Sequence, residues 1–578
     1  MTFTLETIAG IESIIAEPHF DHVDGDMIEG ALDEAARFFS EVFAPTNEIG
    51  DEKGATLVDG QVITPDEFKP VWKKLVDAGW TAVTGSPEYG GHGFPKTFGI
   101  AISEMMTSAN LAFSLNPMLT GSGITLLTRH GSEELRDLYL SKLISSEWTG
   151  TMVLTESEAG SDVGALRARA EMNDDGSYRI NGTKIFITWG DHDLSDNVIH
   201  MVLARTPDAP AGTRGISLFL VPKYLLNDDG TPGERNTVEI VSLEHKLGIH
   251  ASPTCVLAFE DATGYLIGEE NQGMRYMFTM MNQARLEVGL EGLSVAERAY
   301  QHASAYAKER IQGRAIGSDG PSLIIEHPDV RRMLMTMKAY TEAMRGLVYA
   351  AVAADDRMHS ASTEAERNDA RDRLALLTPI TKSWCTDHGV DVASIGVQVF
   401  GGMGFIEESG APQFYRDARI TPIYEGTNGI QALDLVMRKL PMEGGAVING
   451  YLDEIDALAA RLAATDDLSD VARSLSTALA AVRTATGFLL DADPGDAMAG
   501  ATPYQEMLGT LAGGYYLARQ AEAAIEGAKD DQWLAAKVST ARFYAATILP
   551  LASGMSGAVM SGADVLFAVD KDEIGGVK

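Results

Sequence analysis

The sequence is poor in cysteine and in basic residues. Only two cysteines, Cys255 and Cys385, occur in 578 residues, and neither has a partner at the spacing of a disulfide framework or a thiolate metal site. Lysine and arginine total 46 against 82 aspartates and glutamates, so the net charge is −36. Because phosphate contacts require clustered cations, this charge argues against a nucleic-acid-binding protein and against binding to anionic membranes.

Long hydrophobic runs and a basic leader are also missing. The N-terminus lacks the basic segment of a secretory signal, and the scarcity of cysteine fits a reducing compartment, so we expect a cytoplasmic protein. The uncharged run at residues 543–563 contains Pro550 and three glycines. Such a composition is typical of packed helices and not of a lipid-facing span. No metal site is expected.

The hydrophobic pattern changes three times along the chain. Helical periodicity gives way to short apolar runs separated by Asp, Gly and Pro, then returns, and finally becomes alanine-rich and acidic. We therefore expect an α+β protein that is mainly α. Its expected domains are an N-terminal extension and helical domain at 1–150, a β domain at 151–272, a helical domain at 273–440 and an additional helical domain at 441–578.

Several individual elements are specific enough to be tested. A helix is expected at 102–115, and a second at 133–143 with Ser132 as its cap. Residues 173–176, which read NDDG, predict a hairpin turn. Further strands are expected at 178–180, 184–188, 198–203, 216–221, 237–243 and 255–259, and long helices at 274–311, 330–354, 374–400, 451–464, 471–490 and 504–525.

One carboxylate, Glu425, stands at a junction. It follows a strand-like run at 420–424 and precedes Gly426 and Thr427, which supply turn and cap chemistry for a helix. A carboxylate near a helix N-terminus is stabilised as the anion, whereas a proton-abstracting base must be desolvated, as a bound apolar substrate would do. The alternative interpretation is that Glu425 only caps the helix.

Five ordered motifs resemble those of acyl-CoA dehydrogenases. Residues 154–162 (LTESEAGSD) resemble LTEPGAGSD, and residues 182–188 (GTKIFIT) resemble the second flavin-contacting strand of that family. The other three are KLGIHAS at 246–252 followed by FED at 259–261, QVFGGMGF at 398–405, which resembles QxFGGxGF, and YEGT at 424–427, which resembles the catalytic segment. The resemblance extends over residues 75–435.

This resemblance implies a fold and a reaction. The fold would be a helical domain, a β-barrel-like middle domain and a helical bundle with an extra C-terminal helical domain. The reaction would be FAD-dependent α,β-desaturation of an acyl-CoA thioester, with Glu425 removing an α-proton while the β-hydride passes to the flavin. The Glu425 N–H and the flavin ribityl chain would bind the thioester oxygen. Electrons would then leave to an electron-transfer flavoprotein.

The resemblance also implies site residues. Cofactor contacts would come from Met152, Leu154, Thr155, Ser161, Phe186, Thr188, Arg310, Gln398, Gly402 and Thr427, with Arg310 reaching the pyrophosphate across a subunit interface. Substrate contacts would come from Ser161, Arg285, Tyr424 and Gly426, with residues 113–123 lining part of the acyl pocket. From the residues alone, these positions also have purely structural explanations. They are a polar loop, core packing of an alternating strand, a solvated helix face, a helix end or a surface salt bridge.

Some residues depart from the family pattern. Ser157 and Glu158 replace Pro-Gly, and Trp189 follows Thr188 where a small or polar residue is usual. These changes put the local loop geometry in question. The phenylalanine of RxxFG is missing after Arg310, and Gly429 replaces glutamine, so neither Gly313 nor Gly429 is assigned a role.

The extension after Pro441 resembles a large bacterial subgroup of the family. It implies a homodimer and, as substrate, 3-methylmercaptopropionyl-CoA in dimethylsulfoniopropionate degradation, or alternatively a medium- or long-chain acyl-CoA in fatty acid metabolism. Two other functions stay open at this point: an acyl-CoA oxidase that uses oxygen, and a non-catalytic flavin-binding or scaffold protein.

Overall fold

A computed structural model of the chain describes residues 1–575 and divides it into two units. The first, which we call the sheet unit, comprises residues 22–287. The second, the helical unit, comprises residues 1–21 together with the chain from Val288 onward.

Helices precede the sheet in the chain. The helical unit contributes the short helices α1 (Thr2–Thr4) and α2 (Ile11–Ile15). The sheet unit begins with α3 (Gly25–Phe38), α4 (Thr46–Lys53), α5 (Phe68–Asp77), α6 (Lys96–Ala109), α7 (Leu111–His130) and α8 (Glu133–Ile144). The cap of α8 is confirmed, because the Ser132 hydroxyl accepts a hydrogen bond from the Leu135 N–H.

The single helix expected at 102–115 is wrong. Asn110 adopts an extended conformation, and its side chain accepts the Phe113 N–H at 3.0 Å, so the chain breaks there and α7 begins at Leu111. The polar side chain competes with the helical backbone for hydrogen bonds, which periodicity alone does not reveal. Just after this cap, the Phe113 ring is fully buried and stacks on Phe68 with centroids 4.1 Å apart.

The strands of the sheet unit form one large sheet and two small ribbons. The ribbons pair β1 (Thr56–Val58) with β2 (Gln61–Ile63) and β8 (Tyr224–Leu226) with β9 (Pro232–Arg235). The large sheet contains β3 (Trp148–Val153), β4 (Arg169–Met172), β5 (Tyr178–Thr188), β6 (Asn197–Ala204), β7 (Ser217–Pro222), β10 (Val238–Leu243) and β11 (Thr254–Leu266). Its order is β3-β6-β7-β11-β5-β4, with β10 also paired to β11.

Most strand predictions are confirmed. β6 and β7 are buried along their whole length, as continuous apolar runs predict. The NDDG turn joins β4 to β5, with Gly176 at φ +86°. The two short runs expected at 178–180 and 184–188 form the single strand β5. Within the described residues the strand order does not close into a ring, so the barrel-like form is not confirmed.

Long helices form the helical unit. They are α9 (Gly273–Glu309), which crosses the unit boundary, α10 (Pro328–Ser360), α11 (Glu364–Phe400), α12 (Ala411–Ala418), α13 (Asn428–Asp434), α14 (Ala446–Ala463), α15 (Ser469–Asp491), α16 (Pro494–Ala499), α17 (Ala501–Ala524), α18 (Gln532–Thr547), α19 (Pro550–Gly554), α20 (Ser556–Val559) and α21 (Ala563–Leu566). The expected long helices are confirmed, although α11 begins earlier, at a capping box of Thr363 and Glu366. None of the helices within residues 1–575 has the length and apolarity needed to cross a bilayer.

A buried histidine joins α11 to the C-terminal helices. His388 of α11 lies 3.0 Å from a Glu506 carboxylate oxygen of α17 and 3.2 Å from Asp391, and its ring stacks on Tyr340 at 4.2 Å. Burial disfavours the charged imidazolium, but the two carboxylates outweigh it and raise the pKa of His388 from 6.5 to about 9.

The stability of the protein should therefore fall as the pH rises from 6.5 to 9. His388 binds its proton more tightly in the folded state, so its contribution, about 3 kcal/mol, is fully present below the unfolded pKa and is lost through the folded one. Thermal unfolding of the wild type and of His388→Gln between pH 6 and 10 tests this. The variant should lose most of the pH dependence, and an unchanged slope would contradict the assignment.

Candidate active site

The first motif forms a loop that a buried ion pair fixes. Lys184 of β5 is fully buried and donates to Glu156 at 2.8 Å and to the Leu154 carbonyl at 2.9 Å. Glu156 also accepts the Arg167 N–H at 2.7 Å. Burial, only partly opposed by Glu156, lowers the pKa of Lys184 to about 8. This pair was not predicted from the sequence, although a lysine beside the apolar run of β5 and a glutamate in the loop motif were its signal.

The predicted flavin residues of the sheet unit lie around this loop. Met152 is half-buried at the end of β3, Leu154 is buried, Thr155 is half-buried and Ser161 is exposed. The Thr155 carbonyl accepts the Ile185 N–H at 2.9 Å, which ties the loop to β5 one residue before Phe186.

Phe186 lies at a bulge in β5. Ile187 pairs with Cys255 and Lys184 with Leu257, so two residues of β5 face one of β11. Phe186 has a φ of +61°, its ring is 58% exposed, and Thr188 is half-buried. The alternative interpretation, that Phe186 packs in the core of an alternating strand, is therefore wrong, because the bulge interrupts the alternation and the ring is exposed.

These residues fit a flavin. The bulge presents an aromatic ring to solvent on a strand of the sheet, where an apolar ring would otherwise be buried, and the hydroxyl-bearing residues Thr155 and Thr188 are half-buried. An exposed aromatic face with adjacent hydroxyl donors suits a flat heterocycle with polar edges.

Trp189 explains one departure from the family pattern. It adopts a φ of +52°, its ring is buried, and its indole N–H donates to the Ala112 carbonyl at 3.1 Å. The large side chain packs in the core and is not directed at solvent. The other departure is on the surface, where Glu158 pairs with Arg167.

Arg285 is a buried residue of α9 and does not lie on the helix surface. Its side chain lies over the Phe278 ring at 5.8 Å and donates to the Asn282 amide oxygen at 3.2 Å. A helix-surface role is therefore wrong for this arginine.

In the helical unit, the ends of α9 and α11 lie together. The Tyr306 ring stacks on Phe400 with centroids 4.1 Å apart. Arg310 follows the end of α9, Gln398 lies in the last turn of α11, and Gly402 comes just after it; all three are exposed. The structure thus brings together the two chain segments that carry these predicted residues.

Glu425 lies on a turn, which we call the base turn, at residues 419–428. The strand-like run expected at 420–424 is wrong, because short-range bonds such as Ile423 N–H to the Ile420 carbonyl, 2.9 Å, coil the chain instead. The Asn428 N–H donates to the Pro422 carbonyl at 3.0 Å and closes the turn. Glu425 is half-buried with a φ of +57°, and Gly426 has a φ of +82°.

The helix that follows is capped by Thr427 and not by Glu425. The Thr427 hydroxyl accepts the Ile430 N–H at 3.3 Å, and α13 begins at Asn428. The predicted cap chemistry is confirmed. The alternative interpretation, that Glu425 only caps the helix, is wrong, because Thr427 is the cap.

Buried polar side chains surround the base turn. The Tyr424 hydroxyl donates to the Glu291 carboxylate of α9, and Lys382 of α11 donates to the Asn428 amide oxygen at 2.7 Å. Burial first, and then Glu291, raise the pKa of Tyr424 well above its ordinary value, so the hydroxyl stays a donor. Glu291 and Lys382 were missed by the sequence reasoning. Their only signal was a charged residue inside an apolar stretch of helix.

Family models match consecutive parts of the chain. They describe the acyl-CoA dehydrogenase N-terminal domain at residues 29–147, the middle domain at 151–262, the C-terminal domain at 271–440, and an acetyl-CoA dehydrogenase C-terminal-like domain at 451–570.

Two relatives extend over nearly the whole chain. The 3-methylmercaptopropionyl-CoA dehydrogenase of Ruegeria pomeroyi is 46% identical over 556 residues, covering 95% of this chain and 94% of the relative. The broad-specificity linear acyl-CoA dehydrogenase FadE5 of Mycobacterium tuberculosis is 34% identical over 579 residues, covering 95% and 94%.

A solved structure shares the fold. The acyl-CoA dehydrogenase of Bacillus anthracis in complex with FAD superposes with a TM-score of 0.74 at 22% identity, covering 96% of this chain and 90% of that one. The mainly α fold with a β-sheet middle region is thereby confirmed. With the family models and the two relatives, these findings show that the chain belongs to the acyl-CoA dehydrogenase family and is an FAD-dependent oxidoreductase that dehydrogenates acyl-CoA thioesters.

Proposed function

We propose that Glu425 is the catalytic base of this reaction and that 3-methylmercaptopropionyl-CoA is the substrate. The observation that carries the base assignment is the base turn: Glu425 has a strained positive φ although Thr427 caps the helix. Strain of this kind persists where the surrounding structure holds it, and it is frequent where a reaction requires one orientation of a side chain. The substrate assignment is supported by the 46% identical relative that is named for this compound.

Each residue then has a stated role. Glu425 takes the α-proton of the thioester, and its backbone N–H donates to the thioester oxygen, where negative charge develops. Bound FAD supplies the acceptor for the hydrogen and the electron pair of the β-carbon. The acyl chain excludes water from the Glu425 carboxylate and makes it a stronger base. Tyr424, Gly426, Ser161 and Arg285 would contact the substrate.

The flavin contacts are proposed for the ten residues that the family motifs indicated. Phe186 would lie against the ring system, with Thr155 and Thr188 at its polar edge, and Thr427 would be a further cofactor contact. Arg310, Gln398 and Gly402 would reach the flavin of a second subunit, where the Arg310 guanidinium suits a pyrophosphate. The remaining three are Met152, Leu154 and Ser161.

The proposed domains are 1–150, 151–272, 273–440 and 441–578. We place the enzyme in the cytoplasm, with an electron-transfer flavoprotein as the acceptor and dimethylsulfoniopropionate degradation as its setting. The negative net charge of −36 would favour a partner with a complementary basic surface.

Replacing the base should abolish turnover and leave FAD bound. In Glu425→Gln the amide cannot accept the α-proton, so kcat should fall by at least about 10³-fold. Steady-state turnover and the ratio of flavin absorbance to protein measure the two properties. Glu454→Gln, a surface residue paired with Arg373, is the matched control and should retain wild-type turnover. Retained turnover in Glu425→Gln would refute the base and favour another role for the site.

The substrate proposal predicts a preference for short chains. Pentanoyl-CoA has the same number of chain atoms as 3-methylmercaptopropionyl-CoA, with methylene in place of sulfur, and is the matched control. Both should exceed dodecanoyl-CoA in kcat/KM by at least about tenfold, because a pocket shaped for a short chain excludes a longer one. A maximum at dodecanoyl-CoA would identify a fatty acyl-CoA dehydrogenase. Equal rates with oxygen alone and with an artificial acceptor would identify an oxidase.

A homodimer is proposed from exposed apolar side chains after α9 and α11. Ile316 is 90% exposed and Phe405 is 88% exposed, and Ile311, Met403 and Ile406 are exposed as well. Exposed apolar side chains concentrated in neighbouring segments are typical of an interface, and these segments adjoin Arg310, Gln398 and Gly402.

Sedimentation or mass photometry should therefore give twice the 62.0 kDa mass of the chain. Phe405→Asp should shift the protein toward monomers and lower its FAD content, because a charge in the interface opposes association. Phe567→Asp, which changes another exposed phenylalanine of the helical unit, should leave the dimer intact. A tetramer, or a dimer that tolerates Phe405→Asp, would contradict this interface.

A further inference from the structure

The base turn needs support from its surroundings. Glu425 and Gly426 have φ values of +57° and +82°. For glutamate this region of backbone conformation is unfavourable, so the conformation persists only where neighbouring groups hold the turn. The neighbouring groups come from α9, α11 and α13.

We propose that Lys382 is a positioning residue that aims Glu425, acting through Asn428. This inference rests on the proposed role of Glu425 as the base. The Lys382 ammonium is fully buried on α11 and donates to the Asn428 amide oxygen at 2.7 Å. A buried ammonium is retained only where it is well bonded, so this contact fixes the end of the base turn strongly.

Asn428 transmits that constraint to the turn. Its amide nitrogen donates to the Thr386 hydroxyl at 3.0 Å and to the Ser383 carbonyl at 3.2 Å, so the amide has one orientation. Its backbone N–H donates to the Pro422 carbonyl at 3.0 Å. Asn428 therefore holds both ends of the segment that contains Glu425, and Lys382 holds Asn428.

Glu291 is a second anchor on the other side of Glu425. Its carboxylate is 2% exposed on α9 and accepts the hydroxyl of Tyr424, the residue just before the base. The anchors on α9 and α11 thus bracket Glu425 from residues 424 and 428.

Removing the lysine donor should lower kcat without weakening binding. In Lys382→Met the side chain keeps its bulk but loses the charged donor, so kcat should fall about 30- to 100-fold, as a small misplacement of a reacting group does. KM should change less than about threefold, since the base contributes to the transition state and not to thioester binding. FAD content should stay at the wild-type level.

A double-mutant cycle separates positioning from general damage. Asn428→Ala removes the same contact by changing the acceptor in place of the donor. Asn428 is the first residue of α13, where alanine is tolerated, so this variant replaces Lys382→Met in the test if that variant folds poorly. If Lys382 acts through Asn428, the double variant should be no more than about threefold slower than the slower single variant. If the reductions in kcat of the two single variants multiply in the double variant, the assignment is wrong.

Hydrogen exchange gives a second readout that does not depend on turnover. In the substrate-free holoenzyme, the amides of residues 424–428 should exchange at least about tenfold faster in Lys382→Met than in the wild type, because the turn is less constrained. Unchanged protection together with unchanged kcat would overturn the proposal.

Lys537→Met is the matched control for loss of a buried lysine. Lys537 lies on α18 and pairs with Glu342 of α10 at 3.2 Å. Among the contacts described for residues 1–575, it has none with the base turn. It should lower thermal stability and leave kcat and the exchange of residues 424–428 unchanged. If Glu425→Gln is inactive while Lys382→Met and Asn428→Ala keep kcat, only this inference fails. If Glu425→Gln is active, the proposed function fails first.

Discussion

The backbone conformation at Glu425 is the constraint on which the candidate residues of the helical unit depend. A positive φ is costly for glutamate, and Thr427 caps α13, so the strain has no evident value for the helix itself. The buried charges of Lys382 and Glu291 also indicate a specific role for this turn, because a charge is rarely kept inside a protein unless it makes a specific bond. Strain and buried charge therefore occur at the same turn.

In the sheet unit, too, a positive φ and buried charges occur close together. Phe186 also has a positive φ, at a bulge that interrupts β5, and Glu156 and Lys184 form a buried ion pair beside it. Phe186 and Glu425, which are proposed for the flavin and for the reaction, are thus among the residues with a positive φ, together with residues such as Trp189 that pack in the core. Sequence rules fail most often at functional positions, where geometry is set by chemistry and not by local preference.

The sequence predicted the order of helical and β regions, most strands and the long helices, because these depend on hydrophobic period and length. The candidate site was predicted through motifs, as with residues 424–427. Local hydrogen bonds explain the failures: Asn110 ends a periodic helix, and the run at 420–424 coils although its residues favour a strand. Lys382 and Asn428 are 46 residues apart, and no local pattern predicts that they meet.

The helix α11 connects the base turn to the C-terminal extension. Lys382 and His388 lie on the same helix, less than two turns apart; one bonds Asn428 and the other bonds Glu506 of α17. Both side chains are buried, and one continuous helix makes both contacts. The extension therefore has a physical role in the helical unit beyond adding surface: without Glu506, the His388 imidazolium would lose its main counter-charge, and the helix that positions Asn428 would lose a buried contact.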